Sequence, residues 1–208
     1  MPFLIIVLLL LIVMRFVVTQ YVVVQPTSDR LFLTGDRVLV NRWAQVGTLG
    51  DKTEYAAVQL TDSMGQSHVL IDQCMAGPGD SIWVSETFEV TRHTEADTAR
   101  GVVIVLPEKG REVQVSPANA QLLALFLQNT EHRAVVLADG RLIEGGNVLE
   151  SVVLHHDCYW FRDISMSQGF VSEDQVLGRV WCISYSVDRG YGLWPNFRSD
   201  RWFLRVGA

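Results

Sequence analysis

The chain has 208 residues, of which 49% are hydrophobic and 19% charged, and its formal net charge is −6. These values exclude a disordered or fibrous chain and allow one compact domain or two small ones. An acidic chain lacks the basic face that binding to phosphate groups requires, so we expect no nucleic-acid partner. Lysine is scarce, since the sequence contains only Lys52 and Lys109.

The first twenty residues carry the strongest hydrophobic signal. Twelve apolar residues run without a break from Phe3 to Met14, and Arg15 follows them. Apolar residues of this kind favour membrane insertion by about 0.3–0.6 kcal/mol each, which outweighs the cost of one Arg near the end. No basic segment precedes the run and no Ala-x-Ala-like cleavage site follows it. We therefore predict an uncleaved transmembrane anchor over residues 1–20 and a separate folded domain over 21–208.

Short β-like segments dominate the rest of the chain. Runs of three to six residues rich in Val, Ile and Leu alternate with turn-forming Gly, Pro, Asp and Asn residues. The predicted strands cover 31–33, 37–41, 56–60, 68–72, 81–85, 101–106 and 133–137. One helix is predicted over 116–127, with Ser116 as its N-cap and Pro117 at its first helical position. This pattern predicts a mostly β, antiparallel domain that contains one helix.

The three cysteines do not form a recognisable framework. Cys74, Cys158 and Cys182 are too few and too widely spaced for a disulfide scaffold or a zinc site. Each lies in an apolar, strand-like run, so we expect buried thiols, although one pair could form a disulfide in an oxidising compartment. The sequence suggests no metal site and no cofactor.

The order of several short motifs is more specific than any of them alone. Ser28 follows the apolar run, and it is followed by Gly35-Asp36, by Pro78-Gly79-Asp80 and by the segment 159–163. The last motif of the series is Gly169-Phe-Val-Ser-Glu-Asp-Gln-Val-Leu-Gly178. In this order the motifs resemble signal peptidase I, the membrane-anchored serine endopeptidase that removes signal peptides from exported proteins. The middle of the chain resembles the long insert of the Bacteroidetes branch, of which this chain would be a divergent member.

The resemblance implies a fold, a location and partners. The fold would be a transmembrane helix followed by an antiparallel β catalytic lobe of signal-peptidase type, with an inserted subdomain at about 98–156. The chain would cross the inner membrane once, with its C-terminal domain on the periplasmic side. Its partners would be the signal peptides of exported preproteins, the lipid bilayer and other envelope proteins. The residues that the resemblance makes structural, in two turns, are Gly35, Asp36, Pro78, Gly79 and Asp80.

The catalytic residues of the family are matched only in part. The resemblance makes Ser28 the nucleophile, and a serine hydroxyl needs a base within about 3 Å to accept its proton. The base of the family is a lysine eight residues before the Asp of the Pro-Gly-Asp motif, and Asp72 holds that place. Asp72 is either an unusual base with a raised pKa or a solvated strand residue. His68 is a further candidate base, but it lies four residues earlier, about 13 Å along an extended strand.

The resemblance extends in part to the segment that supports the lysine, and a working peptidase would bind its peptide beside Ser28. Asp163 and Ser165 correspond to part of the segment that supports the lysine. Gln25, Pro26 and Thr27, together with Asp72, would line an extended peptide that adds to the strand edges, and the Ser28 N–H would help to stabilise the oxyanion.

Three functions therefore remain open. The chain is a working signal peptidase with degenerate machinery, or a catalytically inactive membrane-anchored binding or scaffold subunit of the envelope, or an anchored β domain that binds no peptide. Loss of the base from a serine protease leaves only about 10³- to 10⁴-fold acceleration over water, so the first function requires a substitute base.

Overall fold

The computed structural model describes residues 5–7, 17–44, 54–61, 64–85, 90–92, 101–117, 119–188 and 196–206. They belong to two compact units. The first unit draws on Met1–Met75, Phe161–Gln168 and Asp174–Ala208, and the second on Ala76–Trp160 and Gly169–Glu173. The fold is mostly β and antiparallel, as the sequence predicts. The insertion predicted at about 98–156 falls within the second unit, which begins earlier, at Ala76.

Seventeen strands and two α-helices have both their ends within the described residues, and residues 5–7 are helical as well. The strands β1 to β17 are, in order, Val18–Val22, Asp36–Asn41, Glu54–Thr61, Ser67–Ala76, Ser81–Ser85, Val90–Arg92, Gly101–Val105, Glu112–Gln114, Val135–Ala138, Arg141–Glu144, Asn147–Leu149, Ser151–Val153, Cys158–Phe161, Val171–Ser172, Val176–Asp188, Asn196–Phe197 and Leu204–Arg205. Helix α1 spans Ala120–Asn129 and helix α2 spans Ile164–Gln168. A short 3₁₀ turn covers Ser199–Arg201.

The first unit is built on one antiparallel sheet. Its strands lie in the order β1-β2-β15-β3-β4, and β16 and β17 also pair with β15. Strand β2 alternates buried and half-buried residues, so Asp36, Val38 and Val40 share the face that points into the unit. The core on this face consists of Val23, Phe32, Val38, Val40, Tyr55, Ala57, Ile71, Val180 and Ile183.

The turn that enters β2 holds a buried charge cluster. Gly35 has a φ of +90°, and a Cβ atom there would lie 2.0 Å from the Val187 carbonyl oxygen, so only glycine fits. Asp36 is fully buried. Its carboxylate accepts hydrogen bonds from the Leu33 N–H at 2.9 Å and from Arg201 Nη2 at 2.6 Å. A second guanidinium, that of Arg198, lies 3.9 Å away. The turn therefore fastens the C-terminal 3₁₀ turn to the start of β2.

The second unit combines small sheets with helix α1. Its sheets have the strand orders β6-β5-β7, β11-β10-β9 and β12-β8, and β13 pairs with β14. The apolar face of α1 packs against β9 and β10 through Leu123, Phe126 and Leu127, which contact a core containing Val135 and Leu142. A second cluster of this unit contains Ala76, Ile82 and Leu106.

The Pro78-Gly79-Asp80 motif forms a tight turn inside the second unit. Asp80 Oδ2 accepts a hydrogen bond from the Gly77 N–H at 2.9 Å, and the Asp80 N–H donates to the Gly77 carbonyl at 3.1 Å. Gly79 has a φ of +76°, a conformation that L-residues rarely adopt. The motif thus joins β4 to β5 by side-chain and backbone hydrogen bonds of its own.

Two local predictions are wrong. Helix α1 begins at Ala120 with Asn119 as its N-cap residue, and not at Ser116. The Asn119 side chain accepts a hydrogen bond from the Ser116 N–H at 2.8 Å, which closes a turn before the helix instead of extending it. The predicted strand at 31–33 is a bend in the loop between β1 and β2, because Thr27 and Asp29 bind the backbone of Leu31 and Phe32.

The predicted anchor lies largely outside the described residues. Of residues 1–20, only 5–7 and 17–20 are described. Within the described parts of the chain, no helix is both long and apolar enough to cross a bilayer.

The three cysteines are free thiols. Cys158 and Cys182 are buried, and Cys74 is half-buried, so none of them forms the disulfide that the sequence left open.

Candidate active site around Ser28

Ser28 lies in an exposed turn of the loop between β1 and β2. Its backbone N–H donates a hydrogen bond to Asp163 Oδ2 at 3.2 Å, which joins positions 135 residues apart in the sequence. Within the described residues, the Ser28 hydroxyl has no hydrogen-bond partner. The residue predicted as nucleophile is therefore accessible, and its N–H, predicted to stabilise an oxyanion, is already bound to a carboxylate.

Asp72 reaches the same neighbourhood from strand β4. One of its carboxylate oxygens, Oδ2, accepts hydrogen bonds from the N–H groups of Asp163 and Ile164, both at 2.8 Å. The other oxygen, Oδ1, accepts one from the Gln73 N–H at 2.7 Å. Since Ile164 is the first residue of helix α2, Asp72 satisfies N–H groups that the start of a helix leaves without partners. Asp163 connects this carboxylate to Ser28, with its N–H on Asp72 and its side chain on the Ser28 N–H.

Burial sets the protonation behaviour of Asp72. The side chain is 2% exposed, so of the two alternatives predicted for Asp72 the solvated strand residue is wrong. Burial raises the pKa of Asp72 above its ordinary value of 3.8, because the charged form loses solvation. The three backbone N–H groups act in the opposite direction but do not cancel the effect of burial. Three of the roughly four acceptor positions of the carboxylate are thus occupied by backbone donors.

A second polar network is centred on Asp29, the residue that follows Ser28. Thr27 Oγ1 donates to Asp29 Oδ1 at 2.6 Å, and the Tyr55 hydroxyl donates to Asp29 Oδ2. Burial raises the pKa of Asp29, but the hydrogen bonds from Thr27, Tyr55 and the Leu31 N–H outweigh it and hold the pKa below 3.8. Burial and the bond to Asp29 raise the pKa of Tyr55 well above its ordinary value of 10. Asp29 is therefore a hydrogen-bonded anion, and Tyr55 a neutral donor.

Sequence reasoning missed Tyr55 as part of this network. The signal was present, because Tyr55 begins the apolar segment 55–58 and a buried tyrosine ring must find a partner for its hydroxyl. The Tyr55 ring also packs edge-to-face on Phe32, with 5.1 Å between the ring centres. The network thus ties the Ser28 turn to strand β3 and to the core of the first unit.

The other predicted site residues lie in different surroundings. Ser165 is buried in α2, and its hydroxyl accepts a hydrogen bond from the Phe161 N–H at 2.9 Å, so it stabilises the turn before the helix. His68 is exposed near the start of β4, paired with Leu60 and four residues from Asp72. Gln25 and Pro26 are exposed after β1, whereas Thr27 is buried and hydrogen-bonded to Asp29 and to the Phe32 N–H.

Among the described residues, no lysine or histidine is hydrogen-bonded to Ser28. Lys109 belongs to the second unit, where it lies 3.6 Å from Glu173. Lys52 and His93 lie outside the described residues. A serine becomes a nucleophile when a base accepts its proton at about 2.6–3.2 Å. The Ser28 turn presents a hydroxyl and a carboxylate-bound N–H, an arrangement that can hydrogen-bond a ligand, and no described residue accepts a hydrogen bond from the hydroxyl.

Comparisons with known proteins add no assignment to this geometry. A scan of the chain against protein-family models finds no match, and a search of curated proteins finds none either. The functional interpretation therefore depends on the residues of the Ser28 turn, on Asp72 and on Asp163.

Proposed function

We propose that the chain is a divergent signal peptidase-like protein of the cell envelope that binds peptide segments of exported proteins without cleaving them. The observation that carries the proposal is the state of Asp72. This residue holds the position at which the resemblance requires a lysine amine, and its carboxylate accepts three backbone hydrogen bonds. A group that satisfies the N-terminus of a helix in this way serves the fold rather than proton transfer from Ser28.

Rate considerations favour binding over cleavage. A serine protease without its base retains about 10³- to 10⁴-fold acceleration over water, which comes from substrate binding and the oxyanion site. The Ser28 N–H, the donor expected for that oxyanion, is hydrogen-bonded to Asp163. The chain thus lacks the lysine base, and its expected oxyanion donor is already engaged, while the exposed turn around Ser28 remains open to a ligand.

Strand β1 offers an edge to which an extended peptide can add. It is the terminal strand of the first unit's sheet, and within the described residues it pairs only with β2. Val22, Val24 and Gln25 are exposed where this strand runs toward Ser28. A peptide added to a free edge gains main-chain hydrogen bonds, and its alternate side chains contact the residues beside the edge. The exposed Val22 and Val24 favour apolar side chains in such a peptide.

One observation favours the alternative of a working peptidase. Burial raises the pKa of Asp72, which would make its carboxylate a better proton acceptor, and Asp163 links it to the Ser28 turn. In this alternative Asp72 would accept the Ser28 proton through its remaining acceptor position. The raised pKa is also what burial alone produces in a structural carboxylate, so we place this function second.

The remaining parts of the proposal concern the membrane. Residues 1–20 would anchor the chain once in the inner membrane, with residues 21–208 on the periplasmic side and with other envelope proteins as further partners. Fractionation of the full chain and of a variant without residues 1–20 tests this part. We expect the full chain to stay with membranes after alkaline extraction and the shortened chain to be released.

The central experiment compares cleavage with binding. Purified full chain in detergent is mixed with a preprotein, and its affinity for a fluorescent signal-peptide probe is measured by anisotropy. We expect saturable binding, no cleavage above background, and the same result for Ser28→Ala. The matched control is Ser199→Ala, which removes another exposed serine hydroxyl of the first unit. Cleavage that Ser28→Ala abolishes and Ser199→Ala preserves would establish the peptidase instead, and absence of both cleavage and binding would refute both functions.

A further inference from the structure

The second unit contains a cavity that the Ser28 site does not involve. Its volume is about 450 Å³, within the range of about 300–1,000 Å³ that is typical of small-molecule sites. Strand β7, strand β8 and helix α1 form its walls, together with Leu154 and Phe170. All of these residues belong to the same compact unit.

The cavity walls are mostly apolar. Helix α1 contributes Leu123 and Phe126, which are buried on the side of the larger core. Strand β7 contributes Val103 and Val105, which are 47% and 44% exposed and lie two residues apart on one face of the strand. Phe170 packs against both hydrophobic clusters of the unit. Two valines therefore face water at the opening, and an apolar ligand would remove this surface from water.

The polar groups at the cavity differ in how far they are already used. The Asn119 side chain accepts from the Ser116 N–H at 2.8 Å and donates to the Gln114 carbonyl at 2.9 Å, so it is committed to the turn before α1. The Arg111 guanidinium has one charged neighbour among the described residues, Glu108, at 3.8 Å. That distance is longer than a hydrogen bond, so the N–H donors of Arg111 can bind an anion.

We propose that this cavity binds an amphipathic carboxylate of the medium-chain fatty-acid class. The alkyl chain would lie against Val105, Leu123 and Phe126, and the carboxylate would accept hydrogen bonds from Arg111 at the opening. An apolar body with a single anionic end matches a wall that offers apolar contact and one cation. The proposal is independent of what the Ser28 site does, because it depends on the second unit alone.

Titration with dodecanoate below its micellar concentration tests the proposal. Calorimetry measures the stoichiometry, and the fluorescence of Trp160 reports occupancy because its ring stacks edge-to-face on Phe170, with 5.8 Å between ring centres. We expect saturable binding of one dodecanoate per chain. Trp160→Phe is expected to bind dodecanoate with the same heat but without the fluorescence change, which assigns that change to Trp160. Absence of saturable heat from the wild-type chain would overturn the proposal.

Two pairs of variants locate the ligand within the cavity. Val105→Trp fills the opening and is expected to abolish binding, whereas Val136→Trp, at another exposed strand valine of the same unit, leaves it unchanged. Arg111→Gln is expected to weaken dodecanoate binding about tenfold and to leave dodecanol binding unchanged, because only the anion uses the guanidinium. Arg141→Gln, at an exposed arginine away from the cavity, is its control. Val103→Trp replaces Val105→Trp if the latter fails to fold, and binding that survives the filled opening refutes this site.

Discussion

Two buried aspartates of the first unit show how one residue type serves in opposite ways. Asp36 is fully buried and Asp72 is 2% exposed, and both accept hydrogen bonds from backbone N–H groups. Asp36 also contacts the guanidinium of Arg201, whereas the hydrogen-bond donors to Asp72 are backbone amides. Burial raises the pKa of each carboxyl, but for Asp36 the hydrogen bonds from Arg201 and Leu33 outweigh it and hold the pKa below 3.8.

The two carboxylates therefore differ in whether a cation compensates their charge. Two guanidinium groups, those of Arg198 and Arg201, compensate the charge of Asp36, and these ion pairs hold the C-terminal 3₁₀ turn in place. The backbone N–H groups stabilise the Asp72 carboxylate only in part, so its ionisation destabilises the folded state. The same carboxylate accepts the hydrogen bonds that begin α2. The position at which the resemblance requires a titrating amine is therefore occupied by a group of opposite charge with a structural role.

Breaking the Asp36 cluster is expected to have the largest effect on stability. Asp36→Asn removes the charge that compensates Arg198 and Arg201, whose side chains are 20% and 14% exposed. Removing one partner of a buried ion pair costs about 3–5 kcal/mol because the other charge stays buried. Urea denaturation should show a loss of this size in the free energy of unfolding.

The control for this change is Asp200→Asn in the same 3₁₀ turn. Asp200 is exposed, so its substitution should alter the free energy of unfolding by no more than about 0.5 kcal/mol. A loss for Asp36→Asn as small as that of the control would show that the cluster does not stabilise the fold.

Removal of the Asp72 carboxylate is expected to have the next largest effect. Asp72→Ala leaves the N–H groups of Asp163 and Ile164 without an acceptor. Unsatisfied buried groups and lost helix caps of this kind lower the free energy of unfolding by about 2–3 kcal/mol. Asp72→Asn keeps one acceptor oxygen and should lose about 1 kcal/mol. Urea denaturation gives both values, and amide hydrogen exchange at Asp163 and Ile164 should accelerate most in the alanine variant.

Asp163→Ala tests whether the stabilisation comes from the Asp72 carboxylate alone or from the whole hydrogen-bonded group of Ser28, Asp72 and Asp163. The Asp163 side chain is exposed, and its recorded bond is to the Ser28 N–H, so its loss should cost less than about 1 kcal/mol. Equal losses in Asp163→Ala and Asp72→Ala would contradict the distinction between a helix cap and an exposed contact.

The antiparallel β fold could be predicted because it depends on local patterns. Strand β5 covers 81–85 as predicted, and β2 extends its predicted range by only one residue, to Asp36. The segment 31–33 has the composition of a strand, yet Asp29 binds the Leu31 N–H and Arg201 Nη2 binds the Leu31 carbonyl at 2.5 Å. A nearby side chain, Asp29, and a distant one, Arg201, thus replace the ladder hydrogen bonds that a strand would need.

The candidate site could be predicted in its residues but not in its contacts. The motif order indicated Ser28, Asp72 and Asp163, which the fold brings into one hydrogen-bonded neighbourhood. Spacing along the chain does not reveal that Asp72 faces the start of α2, because that contact joins residues 91 and 92 positions apart. For the same reason Asp72 looked like a solvated strand residue, and the hydroxyl of Tyr55 went unnoticed as a donor to Asp29.

The smallest expected effect is a pH dependence that runs in opposite directions for the two aspartates. The folded pKa of Asp36 lies below 3.8, so its contribution is present above that pH and is lost as the pH falls toward the folded pKa. The folded pKa of Asp72 lies above 3.8, so the wild-type chain loses stability as the pH rises from 3.8 through that pKa. Asparagine does not titrate at either position, so each variant removes one of these two dependences.

Urea denaturation of the wild type, Asp36→Asn and Asp72→Asn between about pH 3 and pH 7 measures both trends. The deficit of Asp36→Asn relative to the wild type should shrink as the pH falls, because the wild type then loses its ion pair. The deficit of Asp72→Asn in the free energy of unfolding should shrink as the pH rises, because ionisation of the buried carboxyl then destabilises the wild type and the amide does not ionise. Parallel trends in the two variants would mean that the carboxylates share one environment, and the contrast between guanidinium and backbone donors would no longer explain their difference.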